Sequence, residues 1–467
     1  MWGTKMTYAE AVKYLLTLGR ELAAPRQARV QKFDLENIRL LARHLGEPQR
    51  KFPSVHVAGT NGKGSTAAMM ESILRESGLR TGLYTSPHLE RINERIQLGG
   101  QPVSDQEFAR SFTVVRDLIE RLLASGELAA HPTYFECMTA MAFETFAEQK
   151  VEFAVLEVGM GGRLDATNIV TPEVAVITQI DFDHEDYLGH SIEQIAGEKA
   201  AIVKPGVPVV LAIERPRARK VVERKAAEAG APVVEIERDF RLEDVRDEDG
   251  LCRATAVHVE SGEQFQLKPA LAGRYQLRNA LAALAAARIV ARRGWPVTRE
   301  SIERGIAQTK WAGRLERFGK QPAIYLDGTH NPAGARELAD FWDEHFEGRR
   351  VLLIYGAMRD KAVDEIAGLL FPRAGQVILT QPRQARAISV DALGAMTGHL
   401  AEHCEQVADP ADALRHALKL AGPDDVIFIT GSLYLAGDLR ALVENLSQQP
   451  LPEQEARDLP GQAGASA

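Results

Sequence analysis

The stretch Ala58-Gly59-Thr60-Asn61-Gly62-Lys63-Gly64-Ser65 constrains this chain more than any other. A glycine loop carrying a lysine and a serine has physical meaning only between a strand and a helix. Both flanks fit: Val55 to Ala58 is a short apolar run, and Lys63 to Ser77 has helical spacing closed by Gly78. In that setting the glycines let backbone N–H groups turn inward, and the helix start adds partial positive charge. The expected occupant is the phosphate chain of a nucleotide, cradled by Gly59, Thr60, Asn61, Gly62 and Gly64. Lys63 would reach the outer phosphates, and Ser65 would approach the magnesium side. Val57 stands where the commonest loop of this type has its first glycine. The alternative is a glycine turn capping a helix, with Lys63 left in solvent.

Periodicity around the loop sets the fold class. Helical spacing covers Tyr8 to Leu22, Leu35 to Leu45, Phe108 to Leu123, Glu136 to Gln149 and Ile192 to Val203. Short apolar runs at Phe153–Val158, Val174–Ile180 and Val207–Ile213 alternate with them, which predicts right-handed crossovers and a mostly parallel sheet. From Val233 to Leu267 charges alternate with apolar residues around Glu248-Asp249-Gly250 and Ser261-Gly262, predicting β-hairpins. An alanine-rich helix, Leu277 to Arg293, follows. Strand–helix alternation restarts after Gly313–Gly319, at Ala323–Leu326, Val351–Tyr355, Val377–Thr380 and Val426–Thr430. The expected fold is therefore α/β: a P-loop NTPase-like N-terminal domain over 1–312 with a small β subregion, and a Rossmann-like C-terminal domain over 313–446. The segment 447–467, rich in Gln, Pro, Gly and Ala, is expected to be a disordered tail.

Composition narrows the partners. A net charge of −8 argues against a general nucleic-acid binder, although local arginines can still hold small anions. Cys137, Cys252 and Cys404 are three and widely spaced, so neither a disulfide framework nor a zinc pattern is expected. No apolar run reaches membrane-spanning length, and Met1 to Thr7 lack an export pattern. A cytoplasmic monomer acting on small molecules is the expectation.

Ligands of open α/β sheets bind beyond the carboxyl ends of the strands. Glu157 follows the run at Phe153, and Asp181-Phe182-Asp183-His184 follows the run at Val174. A carboxylate and an imidazole at neighbouring strand ends can hold Mg²⁺ against phosphates, although imidazole is an unusual ligand for so hard an ion. Against that, Glu157 can be a charged strand cap, and the acids around His184 a solvated loop. Lys199, on a helix after Glu198, reads by default as a surface lysine.

Taken in order, these segments resemble the folylpolyglutamate synthase/dihydrofolate synthase family, within the Mur ligase superfamily. The resemblance runs from about Tyr8 to Leu446. It is carried by Lys32-Phe33-Asp34-Leu35, the loop at 58–65, Thr85-Ser86-Pro87-His88-Leu89 and Thr133-Tyr134-Phe135-Glu136. Glu157 to Asn168, Asp181 to His184 and Glu198-Lys199-Ala200 continue it. Trp311 to Glu316, Asp327-Gly328-Thr329-His330-Asn331-Pro332 and Gly431-Ser432-Leu433-Tyr434 complete it. Ala312 and Thr329 depart from the family pattern, which has proline and alanine there.

The resemblance implies an ATP-dependent ligase that joins L-glutamate to dihydropteroate, to the glutamate end of tetrahydrofolates, or to both. It implies ATP, Mg²⁺ and, as a further candidate, a monovalent cation. Ser86, Glu157 and His184 match the family's metal ligands, and Asn279, Arg314 and Asp327 match its ATP contacts. Lys199 matches a lysine that becomes carbamylated, and with Lys63 and His184 it makes the expected catalytic set. Asp34, Thr133 and Leu164-Asp165-Ala166 match the pterin side, while His330 and Ser432 match the glutamate side. Two other readings stand beside this one. A ligase of peptidoglycan precursors usually carries an extra N-terminal domain, and only 58 residues precede Gly59 here. A nucleotide switch without ligase chemistry would turn over ATP without an acceptor.

Overall fold

The computed structural model describes residues 6–18 and 34–448. Lys32 and Phe33, the helical pattern out to Leu22, and the tail from residue 449 lie outside the described residues. In what is described, helix α1 (Tyr8–Thr17) starts on a Thr7–Glu10 capping box, and α2 (Glu36–His44) follows. The first sheet has eight strands: β1 (Ser54–Ala58), β2 (Thr81–Tyr84), β3 (Ile96–Leu98), β4 (Gln101–Pro102), β5 (Phe153–Glu157), β6 (Val174–Ile177), β7 (Val209–Leu211) and β8 (Val233–Glu235). Their order is β4-β3-β2-β5-β1-β6-β7-β8, with only β2–β3 and β3–β4 antiparallel. The uninterrupted apolar runs are explained by burial on both faces: every residue of β1, β5 and β6 is buried.

Connectivity positions the site. Chain order reverses at β1, which lies between β5 on one side and β6 on the other. Their three carboxyl ends therefore open into one crevice, the place where ligands bind in such sheets. β1 runs into the glycine loop and then α3 (Lys63–Glu76), β5 ends in Glu157, and β6 runs toward Asp181 and His184.

The expected hairpin region divides. Val233–Glu235 joins the parallel sheet beside β7, because its two valines continue that apolar edge. β9 (Phe240–Glu248), β10 (Leu251–His258) and β11 (Gln264–Leu267) form a separate antiparallel sheet. That sheet shares a core with helix α4 (Tyr275–Arg292), whose small side chains Ala280, Ala282, Ala283 and Ala286 are fully buried. Helix α5 (Arg299–Gln308) has no counterpart in the pattern above. It packs on α3 at Gly305, where a Cβ would come within 2.4 Å of the Ile73 Cα.

The last sheet contains β12 (Glu316–Phe318), β13 (Ala323–Leu326), β14 (Val351–Tyr355), β15 (Gln376–Leu379), β16 (Cys404–Gln406) and β17 (Val426–Thr430). The order is β12-β13-β17-β14-β15-β16, parallel except at β12–β13. Helix α6 (Pro332–His345) follows β13 and is capped by Asn331, with proline at the position where a missing N–H costs nothing.

Some expected runs are shorter as strands. Val174–Ile180 stops as a strand at Ile177; Thr178 N still donates to Ala58 O at 2.8 Å while its hydroxyl turns onto the glycine loop. Val207–Ile213 is a strand only over Val209–Leu211. β2 and β16 fall in stretches with little apolar signal, and β2 contains Gly82, against which Phe146 packs.

Candidate functional site

The glycine loop is held from below by the chain that leaves β6. Thr178 Oγ1 donates to the carbonyl of Asn61 at 2.7 Å, and Thr60 N donates to the carbonyl of Gln179 at 2.7 Å. The Thr60 hydroxyl donates to Asp181 O at 3.0 Å and accepts from Asp181 N at 3.1 Å. Gly62 has φ of +85°, and a Cβ there would lie 2.4 Å from Asn279 Oδ1. Asn279 donates to Gln276, whose amide reaches Ser65 Oγ at 3.4 Å, so α4 braces the loop from the side. On the opposite side Gly64 faces Trp311.

Two lysines point their amines into this loop. Lys63 Nζ donates to Thr60 O at 2.9 Å, and Lys199 Nζ donates to Gly59 O at 2.8 Å. Lys199 is 4% exposed, which corrects the default reading of a surface lysine. Its helix, Ile192–Ala200, lies under the loop, and burial followed by the nearby Lys63 lowers its pKa to about 7. Burial likewise lowers that of Lys63, opposed by Glu157 and Asp183.

Glu157 is buried and accepts from Ser86 N at 3.0 Å. Burial raises its carboxyl above the ordinary range, against Lys63 and that N–H. His184 opens a short helix with φ of +53°. Burial and then Lys361 hold its imidazole down at about 3, and the same two causes hold His330 at about 4, so both are neutral near pH 7. Of the acids around His184, Glu185 and Asp186 are exposed, while Asp181 is buried and Asp183 is partly buried, so only the first pair fits a solvated loop. Burial acts to raise Asp183, yet the Lys361 ammonium against it pulls it well below the usual carboxylate range. Arg215 donates to both oxygens of Asp181, and Lys361 Nζ meets Asp183 Oδ1 at 2.7 Å.

The far wall comes from the chain after Gly313. Asp327 is buried and accepts from Leu315 N and Thr329 N, both at 2.9 Å, which ties the start of β12 to the end of β13. Arg314 donates to Gly313 O. His330 Nδ1 donates to Gly328 O at 2.7 Å, leaving Nε2 toward Asp183. A cavity of about 1210 Å³ joins these walls. Gly59, Thr60, Asn61, Gly62, Lys63 and Ser65 line it, as do Ser86, Glu157, His184 and Lys199. Asn279, Arg314, Asp327 and His330 close it.

The remaining expected residues are not brought to this cavity. Asp34 Oδ1 accepts from Glu36 N at 2.9 Å just ahead of α2, whereas Thr133 caps a helix and shares a capping box with Glu136. Asp165 is buried, accepting from Gly159 N, Met160 N and Thr167, with Ala166 buried and Leu164 half-buried beside it. Ser432 is buried and accepts from Tyr434 N and Leu435 N. Conversely, Asp183, Lys361 and Asn331 carry contacts at the cavity for which no role was assigned from sequence. Lys361 follows β14, so the strand-end rule was the signal that could have found it.

Residues 57–287 match the Mur ligase middle domain, and residues 313–433 match the Mur ligase glutamate ligase domain. The chain belongs to the Mur ligase family. It is similar to the dihydrofolate synthase/folylpolyglutamate synthase of Bacillus subtilis, 35% identical over 87% of this chain and 94% of that one. It is 36% identical to the folylpolyglutamate synthase of Lacticaseibacillus casei over 93% and 98% of the two chains. The crystal structure of Mycobacterium tuberculosis folylpolyglutamate synthase complexed with ADP and AMPPCP superposes with a TM-score of 0.83, at 33% identity, covering 93% of this chain and 99% of that one. Escherichia coli FolC in complex with DHPP and ADP gives 0.80 at 28% identity, covering 94% and 98%. This Mur ligase is thus an ATP-dependent ligase of the folylpolyglutamate synthase/dihydrofolate synthase type.

Proposed function

We propose that this ligase is bifunctional, joining L-glutamate both to dihydropteroate and to the terminal glutamate of tetrahydrofolates. The observation that carries the reaction class is a single cavity holding the glycine loop, Glu157 and His184 on one wall and Arg314, Asp327 and His330 on the other. Support for the two acceptors comes from the B. subtilis relative, named for both activities, and from the E. coli structure holding DHPP. The L. casei relative, named only as a folylpolyglutamate synthase, supports the narrower second reading, polyglutamylation alone.

In the proposed sequence, the acceptor carboxylate attacks the γ-phosphorus of ATP, and ADP leaves, giving an acyl phosphate. The glutamate amine then attacks the acyl carbon, loses a proton, and phosphate leaves. Lys63 neutralises charge on the transferred phosphoryl group, and loop N–H groups orient it. Arg314 and Asp327 approach the nucleotide from the second wall, so the chain after Gly313 acts as a separate ligase domain, 313–446, closing on 1–312. His330 and Ser432 are proposed on the glutamate side, and Asp34, Thr133 and 164–166 on the pterin side.

Magnesium is expected with the nucleotide. The donors suit it: Ser65 and Ser86 hydroxyls and the Glu157 carboxylate are hard oxygens facing the cavity, with neutral His184 the softer exception. When bound, Mg²⁺ would neutralise phosphate charge at these residues. We also propose that the enzyme works as a cytoplasmic monomer. In support, no helix among the described residues is long and apolar enough to cross a membrane, and all three cysteines are free thiols.

The test is phosphate release with ATP, Mg²⁺ and L-glutamate, comparing dihydropteroate with tetrahydrofolate. Turnover with both is expected. Turnover with tetrahydrofolate alone would leave the narrower reading, and none with either acceptor would remove the folate assignment.

A further inference from the structure

Asn331 sits where the two walls meet, and its side chain has every hydrogen-bonding position filled. A primary amide accepts two bonds and donates two. Asn331 Oδ1 accepts from Gly334 N at 2.9 Å, which caps α6, and from Asn61 Nδ2 at 3.1 Å. Its Nδ2 donates to Asn61 Oδ1 at 2.8 Å and reaches Asp183 Oδ2 at 3.3 Å. The residue is 3% exposed. The helix cap also fixes which end of the amide is oxygen, since a flipped amide would turn a donor on Gly334 N. The reciprocal pair then fixes Asn61.

Asn61 in turn belongs to the glycine loop, with its backbone carbonyl held by Thr178. One amide therefore ties the entry of α6, the phosphate loop and the carboxylate beside His184 into a single register across 270 residues of chain. We infer that Asn331 is a positioning residue that docks the second domain only onto a correctly shaped phosphate loop. Catalytic closure is thereby coupled to nucleotide occupancy. This inference rests on the ligase reading for its kinetics, though not for its geometry. Only asparagine meets all four demands. Aspartate keeps the cap but loses both donors and places a second carboxylate against Asp183, and serine keeps the cap while losing the pair.

The experiment compares Asn331→Ser, Asn61→Ser and the double variant in the full chain. Each single change is expected to lower ligation kcat about tenfold or more, with AMPPCP affinity of Asn331→Ser within about threefold of the parent and the fold intact by circular dichroism. The double variant is expected to be no worse than the weaker single, as for two ends of one interaction. Small-angle scattering adds a readout independent of chemistry: AMPPCP should compact the parent and fail to compact Asn331→Ser. Wild-type kcat in Asn331→Ser, multiplicative losses in the double variant, or equal compaction of both proteins would each overturn the inference. Absence of glutamate-dependent turnover in the parent would instead count against the ligase reading, while the scattering comparison would still decide the role of Asn331.

Discussion

Lys199 Nζ donates to the carbonyl oxygen of Gly59 at 2.8 Å, so an amine buried under the phosphate loop is bound to the first residue of that loop. Burial lowers its pKa from 10.5 to about 7, so a large fraction is the free amine that CO₂ requires. A carbamate on Lys199 is therefore expected to grow as pH rises through about 7, as ¹³CO₂ labelling would show by NMR. A labelled signal that survives Lys199→Met would refute it. The sign of the linkage is the same: between about 7 and 10.5 the unfolded chain holds the proton that the folded chain has lost, so this site favours folding more as pH rises.

Lys63 and Glu157 attract each other within the cavity, and each favours the other's charged form against burial. Lys63→Ala is expected to reduce kcat by about 10² or more, the usual scale for removing a donor aimed at developing charge. Glu157→Gln keeps the shape and the bond from Ser86 N. It should raise the Mg²⁺ concentration needed for half-maximal turnover about tenfold or more, as steady-state titration would read. Unaltered magnesium dependence would remove Glu157 from the metal site.

Gly62 lies at φ of +85°, with Asn279 Oδ1 occupying the place of a side chain. Gly62→Ala is expected to cost about 1 kcal/mol in backbone strain, and it must also push the Asn279 amide off the loop. Nucleotide affinity measured by calorimetry should fall about tenfold or more, with the fold intact by circular dichroism. Wild-type affinity would mean the loop does not need this bracing.

The large features of this arrangement were legible before the structure. The loop at 58–65 and the acids after β5 and β6 follow from strand–helix alternation, because parallel sheets place strand ends together. What sequence could not give was burial. Lys199 looks like any helical lysine until the helix under it is known to lie beneath Gly59. Asp183 and Lys361 are 178 residues apart, and nothing local to either predicts their ion pair. Short strands such as Thr81–Tyr84 were invisible for a different reason, since their burial comes from neighbours and not from their own apolar content.

His56 on β1 shows how the core reaches the segment around Asp165, proposed above for the pterin side. The Thr167 hydroxyl donates to Asp165, so it must accept from His56 Nε2–H at 2.8 Å, leaving Nδ1 without a partner. The ring is fully buried, and burial followed by Lys204 lowers its pKa from 6.5 to about 3. An unfolded chain therefore binds this proton between about 6.5 and 3 while the folded chain refuses it, so stability falls with pH through that window. The loss is expected to reach about 3 kcal/mol near pH 4. His56→Gln, which can still donate to Thr167, should flatten this acid limb in urea titrations at several pH values. Because Asp165 also holds Gly159 and Met160, Thr167→Val should loosen that loop and cost about 1–3 kcal/mol. If the pterin side is built on this chain, Thr167→Val should raise the KM for dihydropteroate more than that for ATP. Equal effects on both would detach residues 164–166 from acceptor binding.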